Sequence, residues 1–360
     1  MKTFHQVVFH NSNWMRNIPS NSVALMVTSP PYPMIQMWDE LFIEQNPAIG
    51  DALETEQGLV AFELMHQLLD TVWGEVYRVL KKGGIACINV GDATRTIKGH
   101  FSLYQNHTRI MSYLLQLGLN ALPCILWRKQ TNAPNKFMGS GMLPPTAYVT
   151  LEHEYILIVR KGGKREFKTL KDKKQRQQSA FFWEERNAWY SDIWEDLKGT
   201  SQRLFDATVR NRSAAFPFEI PYRLINMFSV KGDTVLDPFL GIGTTMYAAI
   251  ASARSSVGFE IHKQLRDLIC SRMGTIVDYA NDRIDNRLRN HLKFVKASHN
   301  SKGKFEHFNK YYEFPVMTKQ ETRLLINPLM AVKQVKEDAF EVTYSDEPQR
   351  AFRGNCRDLE

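Results

Sequence analysis

Cysteine is scarce in this chain, with four in 360 residues at Cys87, Cys124, Cys270 and Cys356, none of them in a CxxC spacing. That excludes the common zinc frames and a disulfide framework, and it fits reduced thiols in an intracellular compartment. Long apolar runs are missing as well. No stretch approaches the roughly twenty apolar residues that a bilayer span needs, and no early segment resembles a secretion signal. The expectation is a soluble, cytoplasmic protein without membrane contact. Internal repeats and long low-complexity segments are also absent, which excludes solenoids and disordered linkers. An excess of acid is the last thing lacking: 46 Lys and Arg against 38 Asp and Glu give a net charge of +8. A polyanionic partner is favoured. With 43% hydrophobic and 23% charged residues, the chain has room for one large domain or two moderate ones.

What is present starts with Val23-Ala24-Leu25-Met26-Val27, an apolar run that breaks at Thr28-Ser29-Pro30-Pro31-Tyr32. Two prolines fix φ and remove two N–H donors, so a buried strand must leave its sheet stiffly there. Ser29 and Tyr32 are thereby held at the carboxyl edge of a strand, where open α/β sheets bind ligands. A hydroxyl, the free carbonyl of Pro30 and an aromatic face suit a planar base carrying an amino group. By itself this stretch also reads as a proline-rich turn after a core strand.

Along the chain, Met1 to Asn17 reads as a short strand and turn, and Met34 to Gly50 as a loop able to fold over a site. Leu59 to Leu80 carries a helical stripe that closes on Lys81-Lys82-Gly83-Gly84, cations and then a glycine stop. Strands are expected at Ile85–Val90, Ala121–Trp127 and Tyr155–Val159, with a helix at Thr108–Leu117 between the first two. From Arg160 to Arg176 the chain is dense in cations, and Phe181, Trp183, Trp189, Tyr190 and Trp194 follow. Such a run is either a solvated face or a surface for nucleic-acid phosphates. A proline-opened helix is expected from Phe216-Pro217 to Phe228, and a polar helix over Lys263–Ala280. A basic stretch to Lys304 and a tail that reads as a small accessory unit close the chain.

A second motif lies late. Asp233–Asp237 reads as a strand, Pro238-Phe239-Leu240-Gly241-Ile242-Gly243 as a tight turn, Thr244–Ala253 as a helix and Ser256–Ile261 as the next strand. Glu260 stands at the end of that strand, seventeen positions after Gly243. Glycines let the backbone approach a ligand, and an acid there reaches two ribose hydroxyls. The NAD fingerprint would need glycine at Met246, and the phosphate loop would need GxxxxGK; neither is met. Asp237 and Phe239 instead offer a carboxylate for an ammonium and an aromatic for an adenine or a sulfonium. Those are the parts S-adenosylmethionine requires.

Together, TSPPY, DPFLGIGTT and GFE resemble the amino-methylating DNA methyltransferases. Their order, SPPY first and DPFLGIG late, is similar to the circularly permuted β group. Ala214-Ala215-Phe216-Pro217-Phe218-Glu219-Ile220-Pro221 resembles the family element before the cofactor strand, and Trp73–Asp92 the region after SPPY. The resemblance implies a doubly wound, Rossmann-like α/β fold: a catalytic half over 1–135, a target-recognition region over 136–205, a cofactor half over 206–280 and a basic accessory region over 281–360.

It also implies methyl transfer from S-adenosylmethionine to a flipped base in double-stranded DNA, with no metal and no covalent intermediate. Ser29 and Pro30 would accept the amino hydrogens, Pro31 would stiffen the turn and Tyr32 would stack on the base. Asp92 is either a further acceptor or a turn-forming residue. Phe216, Pro217, Asp237, Pro238, Phe239, Gly241, Gly243 and Glu260 would hold the cofactor, and Thr244 and Thr245 would cap the helix beside it. Lys161, Lys164, Arg165, Lys168, Lys171, Lys173 and Lys174 would contact DNA phosphates, with base edges read from Arg128–Lys136 or Gln175–Gln178. Serine before PPY is similar to the cytosine-N4 members, with adenine N6 as the alternative. RNA methylation and a silent DNA-binding protein are the remaining readings. A restriction endonuclease would act on the same site, and the oligomeric state, monomer or homodimer, stays open.

Overall fold

The computed structural model describes residues 1–129, 138–139, 141–198, 216–302 and 305–353. The expectations placed on residues 130–136 and on Ala214, Ala215 and Cys356 lie outside these residues.

The strands of the central sheet are β1 (Lys2–Val8), β2 (Val23–Thr28), β3 (Leu80–Val90), β4 (Leu119–Arg128), β5 (His153–Lys161), β6 (Ile193–Trp194), β7 (Thr234–Asp237), β8 (Ser255–Phe259), β9 (Leu329–Lys336) and β10 (Ala339–Tyr344). They form one ten-stranded sheet in the order β6-β4-β5-β3-β2-β7-β8-β1-β10-β9. The five central strands from β3 to β1 run parallel. Antiparallel β5 joins β3 to β4, and β10 joins β1 to β9. The helices are α1 (Asp39–Gln45), α2 (Ala48–Glu54), α3 (Gly58–Val79), α4 (Asn106–Gln116), α5 (Leu170–Gln178), α6 (Trp183–Trp189), α7 (Glu219–Phe228), α8 (Thr244–Ala251), α9 (Arg266–Met273) and α10 (Ile276–Lys302). None of them is long and apolar enough to cross a membrane.

The apolar run chosen from the sequence is the middle of this sheet. All six residues of β2 are buried, as a parallel strand covered on both faces requires. Leu25 and Val27 enter one hydrophobic cluster and Met26 enters the other. From β2 the chain passes through α1 to α3 and returns as β3 on one side. From β7 it passes through α8 and returns as β8 on the other. The winding therefore reverses between β2 and β7, which opens a crevice at their carboxyl ends.

Several expectations change at this level. The helical stripe ends at Val79, and Lys81-Lys82-Gly83-Gly84 opens β3 rather than stopping α3. The pairing register of β2 with β3 shifts there, and Gly83 takes φ 78°, so the glycine serves a bulge. The basic run folds into α5, started by a capping box between Thr169 and Asp172. The polar helix and the basic stretch become α9 and the 27-residue α10. Ala280, Ile284, Leu288, His291 and Val295 bury one face of α10 at spacings of three and four. The tail is no separate unit, because β9 and β10 extend the central sheet beyond β1. The region 136–205 likewise supplies β5 to the sheet.

Candidate active site

The two motifs meet at the crevice because their strands are neighbours. Thr28 at the end of β2 donates from Oγ1 to Asp237 Oδ1 at the end of β7, 2.5 Å away. The same carboxylate oxygen accepts the Phe239 N–H at 3.0 Å, which bends the chain out of the strand. Burial pushes the Asp237 carboxyl up to about 6. Leu240 N–H donates to the Phe259 carbonyl at 2.8 Å and pins the turn to β8. Gly243 caps α8 at φ 88°, and a Cβ there would stand 3.0 Å from the Tyr247 hydroxyl. Glu260, just past β8, accepts the N–H of Gly241 on one oxygen and that of His262 on the other, each at 2.8 Å. Its carboxyl is raised to about 7 by burial, against the pull of those two backbone bonds.

A cleft of about 1150 Å³, measured out to open solvent, lies over these groups. Ser29, Pro30, Pro31 and Tyr32 line one wall, and Asp237, Pro238, Phe239, Gly241, Thr244, Thr245 and Glu260 the other, with Phe216 beside them. Pro217 and Gly243 are not lining residues. The segment expected to fold over the site does line it, as a short 3₁₀ turn and α1 carrying Trp38, Leu41 and Gln45. Leu68, Leu69 and Val72 of α3 complete an apolar wall. Two buried carboxylates with raised pKa values flank the glycine turn in this cleft. A ligand offering a cation to one and hydroxyl donors to the other would relieve both, so the cleft fits an aminoacyl nucleoside.

On the far side of Ser29 stands a polar cluster that the motif alone does not reveal. Ser29 Oγ is 2.9 Å from the Tyr32 hydroxyl. Tyr32 donates to Glu154 Oε2 at 3.0 Å, and Asn89 Nδ2 donates to the Tyr32 oxygen at 2.9 Å and to Glu154 Oε2 at 2.7 Å. Burial first, and then the Glu154 charge, hold the Tyr32 phenol well above its ordinary value. Lys129 closes an ion pair with Glu154 Oε1 at 2.8 Å. The Tyr32 ring lies over Gly91, where a Cβ would approach it to 3.1 Å. Asn89 is the one polar residue in the Ile85–Val90 run, which was the available signal. Glu154 gave none, because its partners come from strands distant in sequence.

Asp92 takes the structural alternative. It accepts the His107 N–H at 3.1 Å and the His107 Nδ1–H at 2.8 Å, fixing the first turn of α4, and it does not line the cleft. The phosphate-binding expectation changes more. Lys161 points into the fold and donates to the Tyr77 and Leu80 carbonyls at 2.6 and 2.8 Å. Arg165 bonds Asp233, at the amino end of β7. Gln178 and Gln175 on α5 are likewise turned inward, toward Tyr311 and the Lys231 carbonyl. Lys164, Lys168, Lys171, Lys173 and Lys174 are exposed, but on and before α5, which packs at that same amino edge. The length of a strand, about 20 Å, separates this run from Ser29.

Comparison with known proteins places this fold in a family. A sequence profile described as DNA methylase, of the N6/N4 type, matches residues 23–271, from β2 into α9. This chain belongs to the N6/N4 DNA methylase family. The methyltransferase is 49% identical over 347 residues to the Type II methyltransferase M.MthZI of Methanothermobacter thermautotrophicus, covering 96% of each chain. It is 51% identical over 283 residues to the Type II methyltransferase M.MjaI of Methanocaldococcus jannaschii, covering 76% of this chain and 92% of the relative. A Thermus thermophilus protein described as a putative DNA modification methylase, solved with S-adenosyl-L-methionine, superposes at a TM-score of 0.57 and 31% identity over 74% of this chain and 94% of its own. The methyltransferase thus has the Rossmann-like fold of DNA methylases and uses S-adenosylmethionine.

Proposed function

We propose that this methyltransferase modifies the exocyclic N4 of cytosine at a specific site in duplex DNA, as a permuted β-group enzyme with its catalytic half ahead of its cofactor half. One observation carries the reading: Ser29 and the Asp237–Glu260 turn open into a single cleft across two neighbouring strands. Asp237 would hold the ammonium of the cofactor, Glu260 its ribose, and Phe239 and Phe216 its apolar surfaces. When bound, S-adenosylmethionine supplies an electrophilic methyl group on a sulfonium.

The chain's own residues do the remaining work. An exocyclic amino nitrogen is a poor nucleophile because its lone pair is delocalised into the ring. Ser29 Oγ and the Pro30 carbonyl accept its two N–H groups and draw it toward a tetrahedral shape, while the proline pair keeps both acceptors from drifting. Tyr32 offers its ring to the extruded base, since the nitrogen is unreachable inside a duplex. Serine before the proline pair favours cytosine over adenine. The Type II names of the relatives support pairing with an endonuclease of the same specificity.

Nucleoside mass spectrometry of unmethylated DNA, after incubation with enzyme and S-adenosylmethionine, tests this. N4-methylcytosine is the expected product. N6-methyladenine would keep the fold and mechanism and overturn the base.

A further inference from the structure

The cluster behind Ser29 has a direction, and that direction has a consequence for the bases the cleft takes. A carboxylate can only accept hydrogen bonds, so the Tyr32 proton is committed to Glu154 Oε2 at 3.0 Å. Asn89 Nδ2, 2.9 Å away, occupies one of the two lone pairs of the Tyr32 oxygen. The 2.9 Å contact between Ser29 and Tyr32 must then be made with the serine proton. Ser29 is left with no proton to offer the cleft; Asn89 Nδ2, 3.5 Å away, stands at one of its lone pairs, and the other is left for a ligand in the cleft that Ser29 lines.

We propose that Glu154 is a positioning residue that fixes the hydrogen-bond polarity of Ser29 through Tyr32, so that the cleft takes bases with an exocyclic amino group and rejects their keto counterparts. This rests on the reading that Ser29 grips the base. A keto oxygen in place of the amino group would meet the lone pairs of Ser29 and the carbonyl of Pro30 with no donor between them. Polar sites of this kind discriminate strongly because the wrong partner leaves buried groups unpaired. Lys129 makes the arrangement sensitive to one isosteric change. In Glu154→Gln the ammonium, 2.8 Å from Oε1 in the native pair, draws the amide carbonyl to itself and sets the amide NH₂ against both Asn89 Nδ2 and the Tyr32 hydroxyl, so Asn89 loses its acceptor and the Tyr32 proton is no longer held. Tyr32 then donates to Ser29, and Ser29 donates to the cleft.

The experiment uses full-length enzyme and a duplex carrying the site found by mapping the modified base. The target base is left intact or replaced by its keto form, uracil for cytosine or hypoxanthine for adenine. Affinity is measured with S-adenosylhomocysteine present. Wild type is expected to prefer the amino base, and Glu154→Gln to lose about tenfold of that preference. The variant should also lose at least about tenfold in kcat with its S-adenosylmethionine affinity within about threefold, while Glu154→Asp recovers part of both. Tyr32→Phe should remove the same preference, and the double variant should be no worse than either single one. An unchanged preference in Glu154→Gln, or additive losses in the double variant, overturns the relay. Ser29→Ala separates the two levels: if Ser29→Ala keeps the amino preference and full turnover, the base-gripping reading falls and the relay with it. If Ser29→Ala abolishes both while Glu154→Gln changes neither, the relay alone falls.

Discussion

Ser29 and Glu260 line different walls of one cleft and should fail in different ways. Ser29→Ala removes an acceptor for the base, so kcat should fall by about tenfold to a hundredfold while S-adenosylmethionine binds within about threefold of wild type. Calorimetric titration beside single-turnover kinetics reads the split, and an equal loss in both would place Ser29 at the cofactor. Glu260→Ala should do the reverse and weaken the cofactor by at least about tenfold. The raised carboxyls add a pH signature. Asp237 and Glu260 titrate at about 6 and about 7 in the folded protein, above their ordinary 3.8 and 4.5. Because folding favours their protonated forms, the cofactor-free enzyme is stabilised at low pH and loses that contribution as pH rises through these values. A cation and hydroxyl donors favour the charged forms, so cofactor affinity should climb several-fold between about pH 5.5 and about pH 8. Binding should release protons, seen as a buffer-dependent enthalpy. A flat affinity profile over this range would place the ammonium and ribose elsewhere.

The turn between β7 and α8 is the element on which the cofactor half depends. Gly243 sits at φ 88° against the Tyr247 ring, so Gly243→Ala meets both a left-handed backbone and a contact at 3.0 Å. The change should cost about 1–3 kcal/mol and lower S-adenosylmethionine affinity with it. Thermal melts with and without cofactor measure the two losses, and an unchanged melt would show that the turn relaxes freely. The same element explains why both strands end where they do. Thr28 and Phe239 share one oxygen of Asp237, so the catalytic turn and the cofactor turn are anchored on a single buried carboxyl.

Across the whole molecule, the two edges of the sheet have different tasks. The cleft lies at the carboxyl ends of β2 and β7, whereas α5 with its lysines packs at their amino ends. Replacing Lys171, Lys173 and Lys174 with glutamine should therefore leave turnover unchanged and the salt dependence of DNA binding unaltered. Loss of about three phosphate contacts from the slope of log K against log salt would return this run to the DNA interface. The tail has a whole-molecule role too, because β10 covers the edge of β1 and β9 covers β10. Without them the sheet would end on an exposed parallel strand, the kind of edge that promotes association.

The sequence alone set the chemistry-bearing turns of this protein. Proline pairs, a glycine turn and an acid after a strand are local devices, and each acts through the backbone within a few residues of itself. For that reason Ser29, Asp237, Gly241 and Glu260 were legible as candidates, and so were the strands that carry most of them. The stripes of α3 and α7 were legible because a helix face repeats along the chain. Pairing was not. That Asn89 and Glu154 stand behind Ser29, that Asp92 accepts a first-turn N–H of α4 and that the lysine run lies at the amino edge all depend on strand order. Antiparallel β5, inserted beside β3, brings Glu154 against Tyr32 and Asn89 behind Ser29 and carries Lys161 and the cations after it away. Strand order comes from burial summed over the whole sheet, and no single segment records it. The tail illustrates the same limit: its short apolar runs look self-contained until β1 offers them an edge to complete.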